Sequence, residues 1–542
     1  MRVEQVQPSA WTEVYFHQRR QARLTLRSAN TFTIHPLRQS HRCSLASSVL
    51  IALALTFFLA GCGAPSTPKD LVLHWNNTTV INRTTPTLQL VVNPHLVPGD
   101  PLGAAAFNAV RTLAPDYMRY QAWLPYPKLA IAELDPPTRQ STSWDFTLID
   151  PMVNQFLTVT ATHPAVIDFS TIPQWMFVTD SPVSYPKDPT QVTWNYEQGT
   201  QLRDPTNTEL ADYYRRLASW YVNGGFTDEN GVSHESGHHY HLPLWEVLNE
   251  PDLEHSTSAE DYTRRYDAIV DAVRSVSPDT RFIGLSLGLP ASHLDFVRYF
   301  LDPSNHLPDI PIDYISYHFY AVPGLQETSD TWQYTLFEQA DTFLDTVRSI
   351  EAIRKQLAPN TRTDIDELGA ILPTDAPPGI GPAPPALWWN VSAAVSAYFY
   401  IRLARMQIDI VGEAQLIGFP SQYPTLSMMD WTTNQPNARF WALKLLKDSF
   451  LPGDEMVETY LAPLITSDVE AQAFLTPSGR KLLLINKRNR RIDISLPNAA
   501  SATALTVDAQ SGEAPARAIT PTDGTITLQP FAVTVVTWKP AT

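Results

Sequence analysis

Between residues 87 and 450 the sequence alternates, eight times over, a short apolar run with a longer stretch whose apolar residues recur at helical spacing. The runs are 87–94, 117–123, 165–175, 242–248, 281–287, 312–320, 363–369 and 410–419. The helical stretches lie at 102–113, within 146–160, at 208–222, 259–276 and 292–301, within 331–357, and at 387–406 and 437–450. A short run that is apolar almost throughout suits a strand buried on both faces, as in a parallel sheet. Parallel neighbours need a long crossover, and the helix supplies it. Eight such pairs predict an α/β fold, a (β/α)8 barrel with inserted loops.

After Pro452 the texture changes. Residues 471–475, 481–486, 491–496, 504–507 and 533–538 are strand-like runs separated by Gly, Pro, Asp and Asn, the signature of a small all-β sandwich. Residues 71–75 and 79–81 precede the barrel and are expected to join that sandwich. The predicted organisation is therefore an N-terminal extension and signal segment (1–61), a tether with N-terminal strands (62–86), the barrel (87–450) and the β-sandwich (451–542).

The N-terminal segment has its own logic. Arg38 to Arg42 is basic, 45–60 is a 16-residue apolar run, and Gly61-Cys62 follows. The run is short for a membrane span and right for a signal peptide. Leu59-Ala60-Gly61-Cys62 resembles a bacterial lipobox, which implies a lipid-modified Cys62 and an exported lipoprotein of the cell envelope, held to the membrane by that anchor. Residues 1–61 carry seven Arg and two Glu, whereas the whole chain has a net charge of −16. The remainder is thus strongly acidic, which argues against a nucleic-acid partner. With Cys43 and Cys62 the only cysteines, the body of the protein has no disulfide framework.

Chemistry concentrates where strands end. The fourth run, LPLWEVL, breaks at Asn249-Glu250-Pro251, because proline cannot continue a ladder. Glu250 thereby sits at the C-terminal lip, where such barrels keep their active sites. Glu367 ends the seventh run, three βα units later, so the two lips face each other across the mouth. Paired carboxylates there suit glycosidic cleavage by a retaining mechanism, one as acid and one as nucleophile. Asp364 and Asp366 are rivals for the second role. Strand alternation predicts that Asp366 points away from the axis if Glu367 points in, with Asp364 deeper in the barrel.

Trp245-Glu-Val-Leu-Asn-Glu-Pro-Asp-Leu253 resembles the strand-four signature of glycoside hydrolase clan A, and within the clan the chain is most similar to family 39, which includes β-xylosidases and α-L-iduronidases. The resemblance implies Glu250 as general acid/base, Asn249 on the sugar 2-OH and Glu367 as nucleophile. It further implies that Arg119 steadies the nucleophile, that His318 and Tyr320 line the glycone site, and that Trp431 supports the sugar ring. Trp175, in Pro173-Gln174-Trp175, matches the strand-three segment. Around Glu367 the sequence departs from family 39, with Asp-Glu-Leu-Gly in place of Thr-Glu-aromatic. Each residue also has a plainer reading: a lip arginine can simply seal a barrel, a histidine can be a satisfied core group, and a loop tryptophan can pack on its neighbour.

His234-Glu-Ser-Gly-His238 fits the zinc-protease pattern His-Glu-x-x-His. That chemistry needs both histidines on one helix face, and the surrounding NGGFTDENGVSHESGHHYHLP is too rich in Gly and Asn for a helix. The expectation is thus a lipid-anchored retaining glycosidase acting on a carbohydrate without metal or organic cofactor. A non-catalytic carbohydrate-binding lipoprotein and a uronic-acid-specific, family-79-like glycosidase stand as alternatives.

Overall fold

The computed structural model describes residues 70–193, 199–375, 384–418 and 423–538. Residues 1–69, with Cys62 and the signal segment, lie outside the described residues. Among the latter no helix is long and apolar enough to cross a membrane.

Eight parallel strands close into a barrel: Thr85–Val91, Met118–Ala122, Ala165–Phe169, Leu244–Glu246, Arg281–Leu287, Tyr314–Ala321, Arg362–Ala370 and Ile410–Glu413. They are called strands one to eight below. Each pairs with its sequence neighbours, and strand eight pairs with strand one, Ile410 opposite Thr85. The connecting helices start where local chemistry satisfies their free N–H groups. Asp100 accepts from the amides of Leu102 and Gly103 ahead of Pro101–Leu113, and Ser258 accepts from Asp261 ahead of Ala259–Val276. Val166, Leu244, Ile283, Tyr314 and Ile410 form a buried apolar cluster drawn from five of the strands.

Two strands are shorter than the apolar runs that encode them. Strand four spans only Leu244–Glu246, because Leu248 and Glu250 adopt left-handed φ values of 65° and 43°. Strand eight ends at Glu413 rather than near residue 419. The residues that follow, Val247 and Leu248 in the one and 414–418 in the other, are buried outside the named strands.

The C-terminal part is an antiparallel sheet facing a two-stranded one. The larger sheet orders Leu71–Ile81, Glu455–Leu461, Val469–Thr476, Gly479–Asn486, Val533–Trp538, Ala502–Val507 and Arg517–Ile519. Ile492–Ser495 pairs with Thr525–Leu528, and the two sheets share a core of Leu482, Leu484, Ile494, Ile526 and Val536. The expected N-terminal pieces form one irregular strand, with Leu71 opposite Leu461 and Ile81 opposite Glu455. The opposite face of the larger sheet packs on the barrel's helical layer, where Phe474 meets Phe450 at a ring separation of 4.2 Å.

Candidate active site

Glu250 is placed by backbone geometry. Its amide donates to the Ser286 carbonyl of strand five at 2.9 Å, and its carbonyl accepts from the Glu254 amide at 2.7 Å. Leu285 and Ser286 likewise have positive φ, 81° and 49°, so the lips of strands four and five are both bent out of extended geometry. Non-glycine residues pay about 1–3 kcal/mol for such conformations, which cluster at functional sites. Gly288 leaves the space: a Cβ there would stand 2.9 Å from Glu250 Oε1 and 2.5 Å from Leu253 Cδ1.

Strand seven corrects the expectation for Asp366. Its pairing with strand six is regular to Asp364, opposite Ser316, then shifts so that Glu367 falls opposite His318. The ladder with strand eight shifts between Ile365 and Leu368 as well. A bulge of this kind breaks the alternation of faces, and consecutive residues Asp366 and Glu367 both turn toward the barrel interior. Gly412 makes room for it, since a Cβ there would meet the Asp366 carbonyl oxygen at 2.9 Å. Asp364 is buried, and burial raises its carboxyl well above the usual range.

Arg119, from strand two, ties these elements together. Its Nη1 donates to Glu367 Oε1 at 2.5 Å and to Gln89 Oε1 at 2.7 Å. Its Nη2 donates to Asp168 at 2.9 Å, Asn249 Oδ1 at 2.9 Å and Ser286 Oγ at 3.2 Å. Its Nε donates to Glu246 and lies 3.2 Å from Asp366 Oδ2. The second oxygen of Glu367 accepts from the Tyr320 hydroxyl.

His318 stands between the carboxylates. Its Nδ1 lies 2.8 Å from Glu250 Oε1 and 3.4 Å from Glu367 Oε2, while Nε2 lies 3.0 Å from Ser286 Oγ and 3.5 Å from Asp366 Oδ1. Burial alone would lower its pKa; Glu367, Asp366 and Glu250 outweigh burial and hold it well above the ordinary histidine value. Burial raises Glu250 to about 7, a rise moderated by its hydrogen bond to His318 and reinforced by the charge of Glu367. One ligand atom each from Glu250, His318 and Glu367 lie within 4.8 Å of one another, so this trio could hold a cation. An imidazolium is a poor partner for one.

Sequence reasoning missed several members. Asp168, the one charge in strand three, pairs with Arg119 from full burial. Glu246 does the same from strand four, and burial raises its carboxyl to about 8. Tyr423, half-buried after strand eight, has its hydroxyl pKa raised first by burial and then by Glu250, Asp375 and Glu367. Trp431 is half-buried against the core in the turn between Met429–Asp430 and Gln435–Pro436, and no described contact joins it to the carboxylates. The contacts described for Trp175 also lie elsewhere: its indole N–H donates to the Glu133 carbonyl at 2.9 Å and Arg203 covers its ring at 4.4 Å.

The His-Glu-x-x-His segment is no helix. Ser233–Glu235 is a hairpin strand, His234 lies 2.9 Å from Asp228, and His238 lies 3.1 Å from Asp150.

A family model described as glycosyl hydrolases family 39 matches residues 233–378, which contain both strand-end glutamates. That match and the barrel around it support a clan A glycoside hydrolase, most like family 39. A second model, the C-terminal immunoglobulin-like domain of D-apionate lactonase, matches residues 466–536 of this glycosidase. Among solved structures it resembles a monomeric β-xylosidase from Caulobacter crescentus (14% identity, TM-score 0.55, 88% of this chain and 100% of that one). A family 51 α-L-arabinofuranosidase from Bifidobacterium longum aligns at 13% identity and TM-score 0.56, over 87% of this chain and 100% of the other. A family 30 endoxylanase from Clostridium papyrosolvens aligns at 13% and 0.51, over 87% and 100%. At these identities the likeness is one of fold. No curated protein matches the chain.

Proposed function

We propose that this glycosidase is a retaining enzyme, with Glu367 as nucleophile and Glu250 as general acid/base. The observation that carries the reading is the closeness of the two carboxylates, whose oxygens approach within 4.8 Å across His318. Retaining glycosidases hold their carboxyl groups roughly 5–5.5 Å apart, while inverting ones leave roughly 6.5–9.5 Å for a water. In the first step Glu250 gives its proton to the leaving oxygen while Glu367 attacks the anomeric carbon. Arg119 and Tyr320, bonded to the two oxygens of Glu367, aim it. Once Glu367 is esterified its negative charge is gone and the pKa of Glu250 falls, so Glu250, having given up its proton, stays ionised and takes a proton from the water that attacks the anomeric carbon and releases Glu367.

The glycone we favour is a pentose released from a xylose-containing glycan, as the β-xylosidase and endoxylanase that share this fold suggest. Following hydrolysis of an aryl β-xyloside by NMR tests both parts: the first-formed anomer should keep the β configuration. Inversion, or trapping of a 2-fluoroglycosyl label on a peptide without Glu367, would overturn the assignment. A non-catalytic binding protein would turn over no glycoside at all.

We also propose that Cys62 carries lipid, on the strength of the Leu-Ala-Gly-Cys motif behind its apolar run. Cys62→Ser should then release active protein from membranes, and an unlipidated Cys62 peptide from membrane-free wild type would refute it.

A further inference from the structure

A third glutamate reaches the mouth of the barrel. The turn after Glu250 brings back Glu254, which is buried and whose Oε1 accepts from Trp123 Nε1 at 2.6 Å and from Asn249 Nδ2 at 3.1 Å. Among the described residues no donor meets its other oxygen. Asn249 is thus fixed at both ends, with Oδ1 facing Arg119 and Ser286 and Nδ2 facing Glu254. Burial, followed by the charge of Glu250, favours the acid form of Glu254, whose pKa rises to about 8.

The charge around this group is one-sided. Arg119 and His318 are both already engaged by carboxylates. The lip of such a barrel is built from the connections that follow its strands. In those after strands one, four, five, six, seven and eight, residues 92–100, 247–258, 288–293, 322–328, 371–385 and 414–437, the sequence has no lysine or arginine. After strands two and three the cations are Lys128, which donates to the Lys187 carbonyl, Arg203, which pairs with Glu209, and the exposed Arg139 and Lys187.

We propose that Glu254 is a specificity-determining residue of the glycone site, which together with Asn249 takes hydroxyl groups of a neutral sugar and turns away a uronic acid. The proposal rests on the glycosidase reading above and selects among its substrates. A neutral carboxylic acid beside an amide offers donors and acceptors to hydroxyls without adding charge. A sugar carboxylate would enter beside Glu250, Glu254 and Glu367, where the buried cations Arg119 and His318 are already engaged by carboxylates, and an unpaired buried charge is costly.

The test compares wild type, Glu254→Gln and Glu254→Ala on aryl β-xyloside, β-glucoside, α-L-arabinofuranoside and β-glucuronide. The best neutral substrate should exceed the glucuronide by about 100-fold or more in kcat/KM. Glu254→Ala should lower that value by about 10-fold or more, chiefly through KM, while Glu254→Gln, which keeps the shape and the neutral charge, should stay within about 3-fold. A preference for the glucuronide, or an alanine variant indistinguishable from wild type on the neutral substrate, would overturn the proposal. If wild type hydrolyses none of the four, the glycosidase reading fails separately. Calorimetric titration with xylose, glucose and glucuronate then decides this inference, since tighter glucuronate binding refutes it and a neutral preference abolished in Glu254→Ala supports it.

Discussion

Glu250 and Glu367 share one imidazole: Nδ1 of His318 lies 2.8 Å from the first and 3.4 Å from the second. The two carboxylates are therefore coupled through a cation as well as through space, and changing either alters the other.

The separate roles proposed for them make the sharpest prediction. Glu367→Gln should lower turnover of every glycoside by about 10⁴-fold or more, because no covalent intermediate can form. Glu250→Ala should be selective, sparing activated aryl glycosides and crippling those with poor leaving groups. Azide should rescue Glu250→Ala to a glycosyl azide of retained configuration. An inverted azide product would reverse the mechanism.

The pH profile follows from the acid. As the proposed general acid Glu250 works protonated, and its pKa is raised to about 7, first by burial. The alkaline limb of kcat/KM should therefore fall as pH rises through about 7. Because the charge of Glu367 contributes to that rise, Glu250 should titrate lower in Glu367→Gln, as read by carbon-detected NMR. An unchanged midpoint in that variant would contradict the coupling.

Stability should carry its own pH dependence. Glu246 and Glu254 are raised to about 8 and Glu250 to about 7, in each case first by burial, against ordinary values near 4.5. The folded state thus binds more protons than the unfolded chain between those limits. This stabilisation is fully present below about pH 4.5 and lost as pH rises through the folded values. His318, also raised, acts in the same direction, while the lowered Asp366 acts oppositely at the acid end. Tm should decline from pH 5 to pH 8, and a rising Tm over that range would show that these carboxyls are not buried as acids.

Gly288→Ala should disturb the acid without unfolding the barrel. The added methyl would press on Glu250 Oε1 and Leu253 Cδ1, so kcat on poor leaving groups should fall about 10-fold or more with a modest change in Tm. Equal loss on activated and poor leaving groups would place the effect elsewhere.

Chelation should leave turnover unchanged, since His234 and His238 are held by Asp228 and Asp150 on a hairpin and its following turn rather than on a helix. Activity lost to a chelator and restored stoichiometrically by zinc would argue for a metal role.

Much of this was legible in the sequence, for a physical reason. The barrel is encoded by runs that must be apolar on both faces, and Glu250, Glu367, Arg119, His318 and Tyr320 interrupt those runs with polar atoms. The bulge in strand seven was hidden, because alternation assumes an unbroken ladder, and so Asp366 turned inward against expectation. Glu246 and Asp168 lie inside apolar runs as single charges, a signal readable only once Arg119 is known to need partners. Trp431 could not be placed by composition, since its position in the turn between Met429–Asp430 and Gln435–Pro436 depends on how the chain folds after strand eight.

The pairing of Leu71 with Leu461 joins the strand that precedes the barrel to the first strand that follows it. During synthesis the first strand emerges without its partner and must wait until nearly all of the barrel has left the ribosome. Closing so long a loop adds little entropy beyond that of a moderate one, but it delays the contact. That strand can thus join the larger sheet only after the barrel has been made, and a polypeptide cut short within the barrel would carry it unpaired.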